Sequence, residues 1–303
     1  MKIIGHQKQI NMLNLAVEKN HVNSAYLFVG QSGIGKKQVA LKFAQMLNCQ
    51  DTPAQQSAQL PKPSGQDFKK PCEKCLSCKK IETATHPDVV TIVSQEEKTS
   101  IAIDQIREMI KDLQFRPIMG GYNVRIIDNA HLMQKDASNA LLKTLEEPPE
   151  NTVIVLVTSI PKSLPSTIIS RCAIIYFGIL TDNEIKDEIT KYDLSADETE
   201  FINSIARGSL GVAIKLAMDK KNILEYKNIV SDFQAGKFLN KKFKERKGAL
   251  DFLNLLAARV RLERPEKLED IFKMKNYIIR NTNIGLTLDV LRLSLGAENK
   301  KQN

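Results

Sequence analysis

The stretch GQSGIGKK at residues 30–37 has the glycine spacing of a phosphate-binding turn but a different last residue. The pattern is Gly, four free positions, Gly, Lys and then Ser or Thr. Gly30, Gly35 and Lys36 match it, whereas Lys37 stands where the hydroxyl that binds Mg²⁺ is expected. Backbone N–H groups of such a turn, with a helix N-terminus behind them, bind phosphate groups. We therefore expect a turn able to bind ATP or ADP through Gly30, Gly33, Gly35, Lys36 and Lys37.

The segment VRIIDNAH at residues 124–131 bears on whether such a nucleotide is hydrolysed. Asp128 lies at the end of an apolar run, where ATPases of this kind have a metal-organising aspartate. The next residue is Asn129, where a hydrolysing enzyme has a Glu that orients and activates water. An asparagine accepts a hydrogen bond but is not a useful base near pH 7. Because the metal-binding hydroxyl and the catalytic carboxylate are both missing, we expect little or no ATP hydrolysis by this chain.

Arg171, in the stretch STIISRC, has two interpretations. It lies between the polar end of one predicted strand and the start of the last predicted strand. At such an edge a guanidinium can reach the γ-phosphate of a nucleotide bound to a neighbouring subunit and stabilise charge in the transition state. The alternative is a surface salt bridge at a helix end. We expect Arg171 to be a catalytic residue that acts in trans.

Four of the five cysteines lie in one region, where CEKCLSC contains two successive C-x-x-C steps: Cys49, Cys72, Cys75 and Cys78. This spacing lets neighbouring thiolates bind one ion, and four sulfur ligands favour a closed, structural zinc site. Unligated thiols or a redox pair are the alternatives, whereas a disulfide framework is not expected in a cytoplasmic chain. Cys49 is separated from the others by an insertion, so His86 is a second candidate for the fourth ligand.

Two alternating patterns organise residues 1–178. Short apolar runs predict buried parallel strands at Ala25–Val29, Val89–Val93, Val124–Ile127, Thr152–Val157 and Ala173–Phe177. Stretches with helical spacing lie between them, for example at Lys36–Leu47, Ile103–Leu113 and Asp136–Glu147. Apolar strands that alternate with amphipathic helices predict a parallel sheet covered on both faces, with functional sites at the carboxyl ends of the strands. The predicted fold class is therefore α/β.

The rest of the chain has a helical pattern. Residues 179–218 predict a small helical domain, with a break between two helices at Gly208–Gly211. Residues 219–303 predict a second all-helical domain. Residues 1–178 then form the nucleotide-binding-like domain, with the zinc module inserted at about 49–80. Residues 50–71 are rich in Gln, Pro, Ser and Lys, which predicts a flexible insertion.

The composition bears on location and partners. The sequence shows no charged and apolar leader at its start and no apolar run of about 18 residues. We therefore expect a cytoplasmic location and no membrane partner. The net charge is +9, and residues 219–303 carry 19 Lys and Arg against 11 Asp and Glu. That excess predicts either a solvated helical surface or electrostatic attraction to nucleic acid.

With these segments placed, the chain resembles the delta-prime subunits of bacterial DNA polymerase III clamp loaders, within the AAA+ ATPase superfamily. The resemblance covers about residues 1–215 in order. The stretches that carry it are IIGHQKQINMLNLAVEKN, GQSGIGKK, CEKCLSCKKI, VRIIDNAHLM, ASNALLKTLEEPPENTVIVLVTS and LPSTIISRC. The combination of NALLKTLEEPP with SRC is specific to clamp-loader ATPases, whereas the phosphate-binding turn alone is not.

The resemblance implies a fold, partners and roles for residues. The implied fold is a P-loop AAA+ domain with an inserted zinc module, a helical lid, and an all-α collar that joins five subunits in an open ring. The implied partners are gamma or tau motor subunits, a delta subunit, the sliding clamp and, through the assembled complex, primed DNA. Arg171 corresponds to the family's arginine finger, which acts on ATP held by the adjacent motor subunit. Thr158 or Ser159 corresponds to the sensor position, and the four clustered cysteines to the zinc module.

Three departures from the motor subunits decide the predicted role. Lys37 and Asn129 replace a Ser or Thr and a Glu, and Gly211 in GSLGVA stands where the motor subunits carry an arginine. We therefore predict a DNA-replication subunit that does not hydrolyse ATP, helps load the sliding clamp and supplies Arg171 to a neighbour. Two alternatives are an active motor-type ATPase and a zinc-containing DNA-binding adaptor that uses residues 219–303. ATP turnover by the chain alone would favour the first, and salt-dependent DNA binding the second.

Overall fold

The computed structural model describes residues 3–51, 71–94, 100–218, 246–263, 265–279 and 282–295. The chain divides into two compact units. The first contains Met1–Glu184 and Gly208–Gly211, and the second contains Ile185–Arg207 and Val212–Asn303. The predicted flexible insertion falls almost entirely outside the described residues, and so do residues 219–245 of the basic segment 219–303. The predicted division into three domains stays a prediction.

A five-stranded sheet forms the centre of the first unit. Its strands are β1 (Ala25–Val29), β2 (Val89–Ile92), β3 (Asn123–Ile127), β4 (Thr152–Thr158) and β5 (Ala173–Tyr176). Their order is β2-β3-β4-β1-β5, and every neighbouring pair is parallel. The three inner strands are buried at every residue because helices cover both faces of the sheet. The predicted α/β fold with a parallel sheet is confirmed.

Helices surround and follow the sheet. In the first part of the chain they are α1 (Gln7–Glu18), α2 (Lys36–Asn48), α3 (Leu76–Glu82), α4 (Ile103–Asp112), α5 (Lys135–Glu146) and α6 (Ser166–Ile169). Further along they are α7 (Asp182–Ile189), α8 (Ala196–Ala206), α9 (Leu210–Met218), α10 (Arg246–Glu263), α11 (Leu268–Ile279) and α12 (Ile284–Ser294). The predicted helix break at Gly208–Gly211 therefore lies between the end of α8 and the first turn of α9.

Two apolar cores lie on opposite faces of the sheet. Leu27 and Phe28 of β1 belong to different cores because successive side chains of a strand point to opposite faces. On one face Phe28 packs in the same core as Phe43 of α2. On the other face Leu27 shares its core with Ile106 of α4 and Leu141 of α5. Because β1, β3 and β4 are parallel, their carboxyl ends meet at one edge of the sheet.

The second unit is helical throughout its described residues. A separate apolar core joins α10, α11 and α12, and its fully buried members include Leu253, Val260, Ile271, Ile278 and Leu291. Leu253 and Val260 of α10 are seven residues apart, as are Ile271 and Ile278 of α11, so each pair lies on one face of its helix. Within the described part of the chain, we find no helix with the length and apolar character needed to cross a membrane.

Candidate nucleotide site and cysteine cluster

The turn GQSGIGKK connects β1 to α2, which is the position that a phosphate-binding turn requires. Its start is fixed to the neighbouring strand, because the amide of Gly30 donates a hydrogen bond of 3.2 Å to the carbonyl of Thr158. Gly33 and Gly35 have positive φ angles of 76° and 105°. Residues with a side chain rarely adopt such angles, so glycine is required for this tight turn. The turn leads directly into the N-terminus of α2, with Gly35 as its N-cap.

Lys36 is buried within the turn. Its Nζ donates hydrogen bonds of 2.7 and 2.6 Å to the carbonyls of Gly30 and Gln31, and only 5% of the residue is exposed. Burial disfavours the ammonium form and lowers the pKa of Lys36 to about 8, although the nearby Asp128 carboxylate opposes this shift. The side chain is therefore held in one geometry by the backbone of the turn itself.

Lys37 forms an ion pair with Asp128. Its Nζ lies 3.7 Å from Oδ2 of Asp128, and both side chains are partly exposed. Asp128 follows β3 directly, and its amide donates a hydrogen bond of 2.9 Å to the carbonyl of Ile92 in β2. Asn129 comes next, with a left-handed φ of 54°. The two positions that share a metal ion in ATPases of this kind are therefore joined here by a lysine–aspartate pair.

Thr158 lies at the end of β4 and contacts a histidine that the sequence analysis did not single out. Its Oγ1 is 3.2 Å from Nδ1 of His131 and accepts a hydrogen bond of 3.1 Å from the amide of Ile160. Burial and the Lys36 charge lower the pKa of His131, while the Asp128 carboxylate opposes them. His131 follows Asp128 by three residues in the sequence, and this proximity to a strand end is the signal that could have identified it.

Three successive carbonyls of the turn accept hydrogen bonds from other parts of the first unit. Ser209 Oγ donates to the carbonyl of Ser32 at 2.9 Å, and the amide of Gly211 donates to that of Gly33 at 2.7 Å. In addition, Nε2 of His6 lies 2.7 Å from the carbonyl of Ile34. These protein donors hold the backbone of the turn in one conformation.

Ser209 and His6 were not predicted as site residues. Ser209 is fully buried and contacts the turn across 177 positions of sequence. His6 lies before α1 with a left-handed φ of 57°. Both residues lie in stretches that carry the family resemblance, His6 in IIGHQKQ and Ser209 in GSLGVA, but only the tertiary structure shows that they contact the turn.

Arg171 follows α6 and pairs with a residue of α5. Its Nη2 lies 2.5 Å from Oε1 of Glu146, and its Nη1 donates a hydrogen bond of 2.8 Å to the carbonyl of Thr167. About a third of the side chain is exposed. Both sequence interpretations are compatible with this geometry, since the guanidinium is part of a salt bridge and also reaches the surface.

The four clustered cysteines come together in the folded chain. Their Sγ atoms all lie within 4.8 Å of one another: Cys49, Cys72, Cys75 and Cys78. A zinc ion with four thiolate ligands at about 2.3 Å needs sulfur atoms about 3.8 Å apart, so a small adjustment would close the site. The cluster therefore fits a metal ion that takes soft sulfur ligands.

Backbone amides support the cysteine sulfurs. The amide of Cys75 donates a hydrogen bond of 3.2 Å to Sγ of Cys72, and the amide of Cys78 donates one of 3.4 Å to Sγ of Cys75, which caps the N-terminus of α3. Burial raises the pKa of the Cys75 thiol, but hydrogen bonds that include this last one lower it overall to about 7. Amide donors of this kind stabilise thiolates, which are the form that binds metal.

His86, the second candidate for the fourth ligand, is engaged elsewhere. Its Nε2 lies 2.9 Å from Oγ of Ser77, and its Nδ1 accepts a hydrogen bond of 3.1 Å from the amide of Asp88. With both ring nitrogens occupied, His86 connects α3 to the start of β2 and lies outside the cluster of four sulfurs.

Several known proteins are similar to this chain. The family described as "DNA polymerase III, delta subunit" matches residues 5–181, more than half of the chain. Subunit delta' of DNA polymerase III from Bacillus subtilis is 34% identical over 186 residues, which cover 61% of this chain and 51% of that protein. Subunit tau from the same organism is 33% identical over 220 residues, which cover 71% of this chain and 36% of that protein.

A relative from Haemophilus influenzae, subunit tau/gamma of DNA polymerase III, is 32% identical over 187 residues, 62% of this chain but only 25% of that protein. The chain thus spans between a quarter and about half of the length of these relatives. A Thermotoga maritima protein related to the gamma subunit of DNA polymerase III has a similar structure, with a TM-score of 0.51 and 18% identity. It covers 95% of this chain and 98% of its own, and at that identity the likeness concerns the fold alone.

Proposed function

The chain belongs to the DNA polymerase III, delta subunit family, and from this premise we propose that it is a cytoplasmic clamp-loader subunit in DNA replication that does not itself hydrolyse ATP. In this role it acts with motor subunits of the gamma or tau type and a delta subunit in a ring of five. The assembled ring loads the sliding clamp onto primed DNA. The energy comes from ATP bound by the motor subunits.

The observation that carries the proposal is the ion pair of 3.7 Å between Lys37 Nζ and Asp128 Oδ2. An ATPase of this kind uses a hydroxyl and an aspartate at these positions to hold Mg²⁺, which neutralises charge on the transferred phosphoryl group. Here an ammonium replaces the hydroxyl and engages the aspartate. Asn129 also lacks the carboxylate that would activate water. Two requirements for hydrolysis are therefore absent from the same site.

Arg171 is proposed to be the catalytic residue that this subunit contributes to a neighbour. The guanidinium is partly exposed and is fixed by Glu146 and the carbonyl of Thr167. About a third of the side chain stays exposed beside these partners, and a guanidinium binds the oxygens of a phosphoryl group with matched geometry. In trans it would stabilise charge that develops on ATP held by the adjacent motor subunit.

The cysteine cluster is proposed to hold one structural zinc ion. Four sulfur ligands leave no coordination position for water, so the metal supplies folding free energy and no catalysis. Cys49 terminates α2, whereas Cys75 caps α3. A metal bound by these cysteines would therefore join two helices on either side of the insertion at 50–71.

A motor-type ATPase is the second candidate, and two observations favour it. Relatives of the tau type match this chain as well as the delta' relative does. In addition, Lys36 is in place within the turn. A zinc-containing DNA-binding adaptor, the third candidate, depends on the basic residues at 219–303, many of which lie outside the described part of the chain.

ATP turnover separates these candidates. We expect no turnover by the purified chain with ATP and Mg²⁺. Reconstitution with motor and delta subunits, sliding clamp and primed DNA should give turnover that depends on Arg171. If the chain alone turns over ATP and Lys36→Ala abolishes that turnover, the chain is a motor-type ATPase instead. DNA binding by the chain alone that weakens steeply with salt would favour the adaptor.

A further inference from the structure

The turn that would hold a phosphate is fixed by contacts that do not involve any ligand. Ser209, Gly211 and His6 engage the carbonyls of residues 32–34. Lys36 is held by two carbonyls at the start of the turn, which use two of the three N–H groups of its ammonium. Because the turn is already ordered, binding of a ligand does not carry the free-energy cost of ordering the turn.

A divalent cation does not fit beside this turn. Mg²⁺ needs hard oxygen ligands in octahedral geometry, and the position that should supply a hydroxyl carries the Lys37 ammonium. That ammonium lies 3.7 Å from Oδ2 of Asp128, the carboxylate that should organise the metal. A divalent cation bound to Asp128 would therefore face a like charge at short range, which repels it.

The balance of charge nevertheless favours an anion. Within the described residues that form the site, Lys36 and Lys37 face one carboxylate, that of Asp128. Thr158 and His131 complete the same edge of the sheet with neutral polar groups. The N-terminus of α2 adds the partial positive charge of its unpaired amides. Two lysines and a helix N-terminus around one aspartate leave an excess of positive charge for phosphate groups.

We propose that the Lys37 ammonium, held by Asp128, takes the place of the divalent cation, so that this turn binds the di- or triphosphate of a nucleotide as the metal-free anion. The inference rests on the proposed function, because only a subunit that does not hydrolyse its nucleotide can dispense with the metal. The bound nucleotide then serves as a fixed structural element of the subunit. Its phosphates contact Lys36, Lys37 and the amides of the turn.

Isothermal titration calorimetry of the full chain tests this directly. ADP and ATP are titrated in excess EDTA and, separately, in excess Mg²⁺. We expect binding in EDTA that is at least as tight as binding in Mg²⁺. Bound Mg²⁺ neutralises part of the negative charge on the phosphates and so weakens their attraction to Lys37. Binding that requires Mg²⁺ would overturn the inference, and so would the absence of binding under both conditions.

Substitutions at position 37 assign the effect to the lysine. Lys37→Thr restores the hydroxyl, and we expect it to weaken binding in EDTA by about 10- to 100-fold, as for loss of a charged hydrogen bond. The same variant should bind more tightly when Mg²⁺ is added. Lys37→Arg keeps the charge and should keep metal-free binding. This control separates the loss of charge from misfolding caused by any substitution at position 37. Lys111→Thr, on α4, removes the same charge at an exposed position and should change nothing.

Failure of the inference can be distinguished from failure of the proposed function. If the turn binds no nucleotide but turnover by the reconstituted complex still depends on Arg171, the inference fails and the proposed function stands. If the chain alone hydrolyses ATP with Mg²⁺, the proposed function fails, and the metal dependence of turnover overturns the inference as well. Equal affinity of Lys37→Thr and the unmodified chain in EDTA would overturn the inference, because Lys37 would then not replace the cation.

Discussion

The amide of Gly211 donates a hydrogen bond of 2.7 Å to the carbonyl of Gly33, so residues 208–211 are joined directly to the phosphate-binding turn. A Cβ added to Gly211 would approach the Cα of Gly33 to 3.1 Å, and one added to Gly33 would approach Ser209 Oγ to 2.4 Å. Both positions thus favour glycine. Gly211 is also the position at which the sequence resemblance predicts an arginine in motor subunits.

Gly33→Ala should destabilise the protein by more than its backbone angle alone requires. A positive φ costs an L-residue about 1–2 kcal/mol, and the new Cβ would also collide with Ser209 Oγ. Gly120→Ala is the matched control, because Gly120 has the same φ of 76° but nothing within 4 Å of an added Cβ. In denaturant unfolding, we expect Gly33→Ala to lose more free energy of unfolding than Gly120→Ala does, by about 1 kcal/mol or more.

The contact with Ser209 can be tested within the same series. In the double variant Gly33→Ala/Ser209→Ala the obstructing Oγ is removed, so the cost of the alanine should fall toward that of Gly120→Ala. A double-mutant cycle gives this interaction energy, which contacting residues typically show at about 0.5–3 kcal/mol. Strict additivity of the two single changes would contradict the contact that the structure describes.

The sequence predicts the parts of this site that local pattern determines. Strand ends, the glycines of the turn, Lys36 and Asp128 follow from apolar runs and from a motif whose spacing reflects backbone geometry. The structure brings the turn, Asp128 and Thr158 to one edge because parallel strands present their carboxyl ends together. Sequence alone therefore predicted the fold class, whereas the use of this edge as a nucleotide site stays a prediction.

The remaining features depend on contacts between distant segments. The bond from Ser209 to Ser32 joins residues 177 positions apart, and a serine has no spacing rule that marks it as a partner of the turn. The pairing of Arg171 with Glu146 depends on how α5 packs beside the residues that follow α6. Similarly, the sequence marks Lys37 as an exception to the motif but does not show that its ammonium reaches Asp128. Tertiary packing decides all three.

Arg171→Ala should lower ATP turnover by the reconstituted clamp loader while leaving this chain folded. An arginine that acts in trans contributes about 10³- to 10⁵-fold to hydrolysis at the site it serves, so single-turnover measurements should show one motor site silenced. Arg171→Lys should not restore the rate, because an ammonium lacks the planar fork that binds phosphoryl oxygens. Arg107→Ala is the control, since Arg107 forms an exposed pair with Asp104 on α4. Normal turnover by the Arg171→Ala complex would rule out the catalytic role.

Glu146→Gln should also lower ATP turnover by the reconstituted complex, but by less than Arg171→Ala does. Glu146 holds one side of the Arg171 guanidinium through an ion pair of 2.5 Å, and the glutamine keeps a hydrogen-bond acceptor but not the charge. We expect single-turnover hydrolysis to slow by about 10-fold, as when a charged hydrogen bond is weakened by about 1.4 kcal/mol. A rate equal to that of Arg171→Ala would mean that the ion pair is essential, and an unchanged rate would assign Glu146 no positioning role.

Removal of the metal, or of one cysteine ligand, should destabilise the first unit. Cys72→Ser leaves three thiols where four Sγ atoms lie within 4.8 Å, so the zinc content measured by atomic emission should fall from one ion per chain toward zero. The thermal midpoint should fall with it, because metal binding contributes folding free energy. Cys172→Ser is the matched control, since this fifth cysteine lies outside the cluster. Equal zinc content and equal midpoints in the two variants would contradict a structural metal site.

Binding of ADP in the absence of metal should weaken as the pH rises through the pKa of Lys36. Burial lowers this pKa to about 8, whereas an unfolded lysine titrates near 10.4. Between these values the unfolded chain binds more protons than the folded one, so the Lys36 contribution to the free energy of unfolding rises with pH. Ligand affinity changes in the opposite direction, because only the ammonium attracts phosphate.

Calorimetry in EDTA from about pH 7 to about pH 9 should therefore show affinity falling by up to about 10-fold. His131, which lies beside Lys36, does not reverse this sign, because its lowered pKa keeps the imidazole neutral in this window. Lys36→Arg remains charged throughout and should give a flat profile. An identical decline in Lys36→Arg would assign the pH dependence to another group, and a flat profile in the unmodified chain would separate Lys36 from phosphate binding.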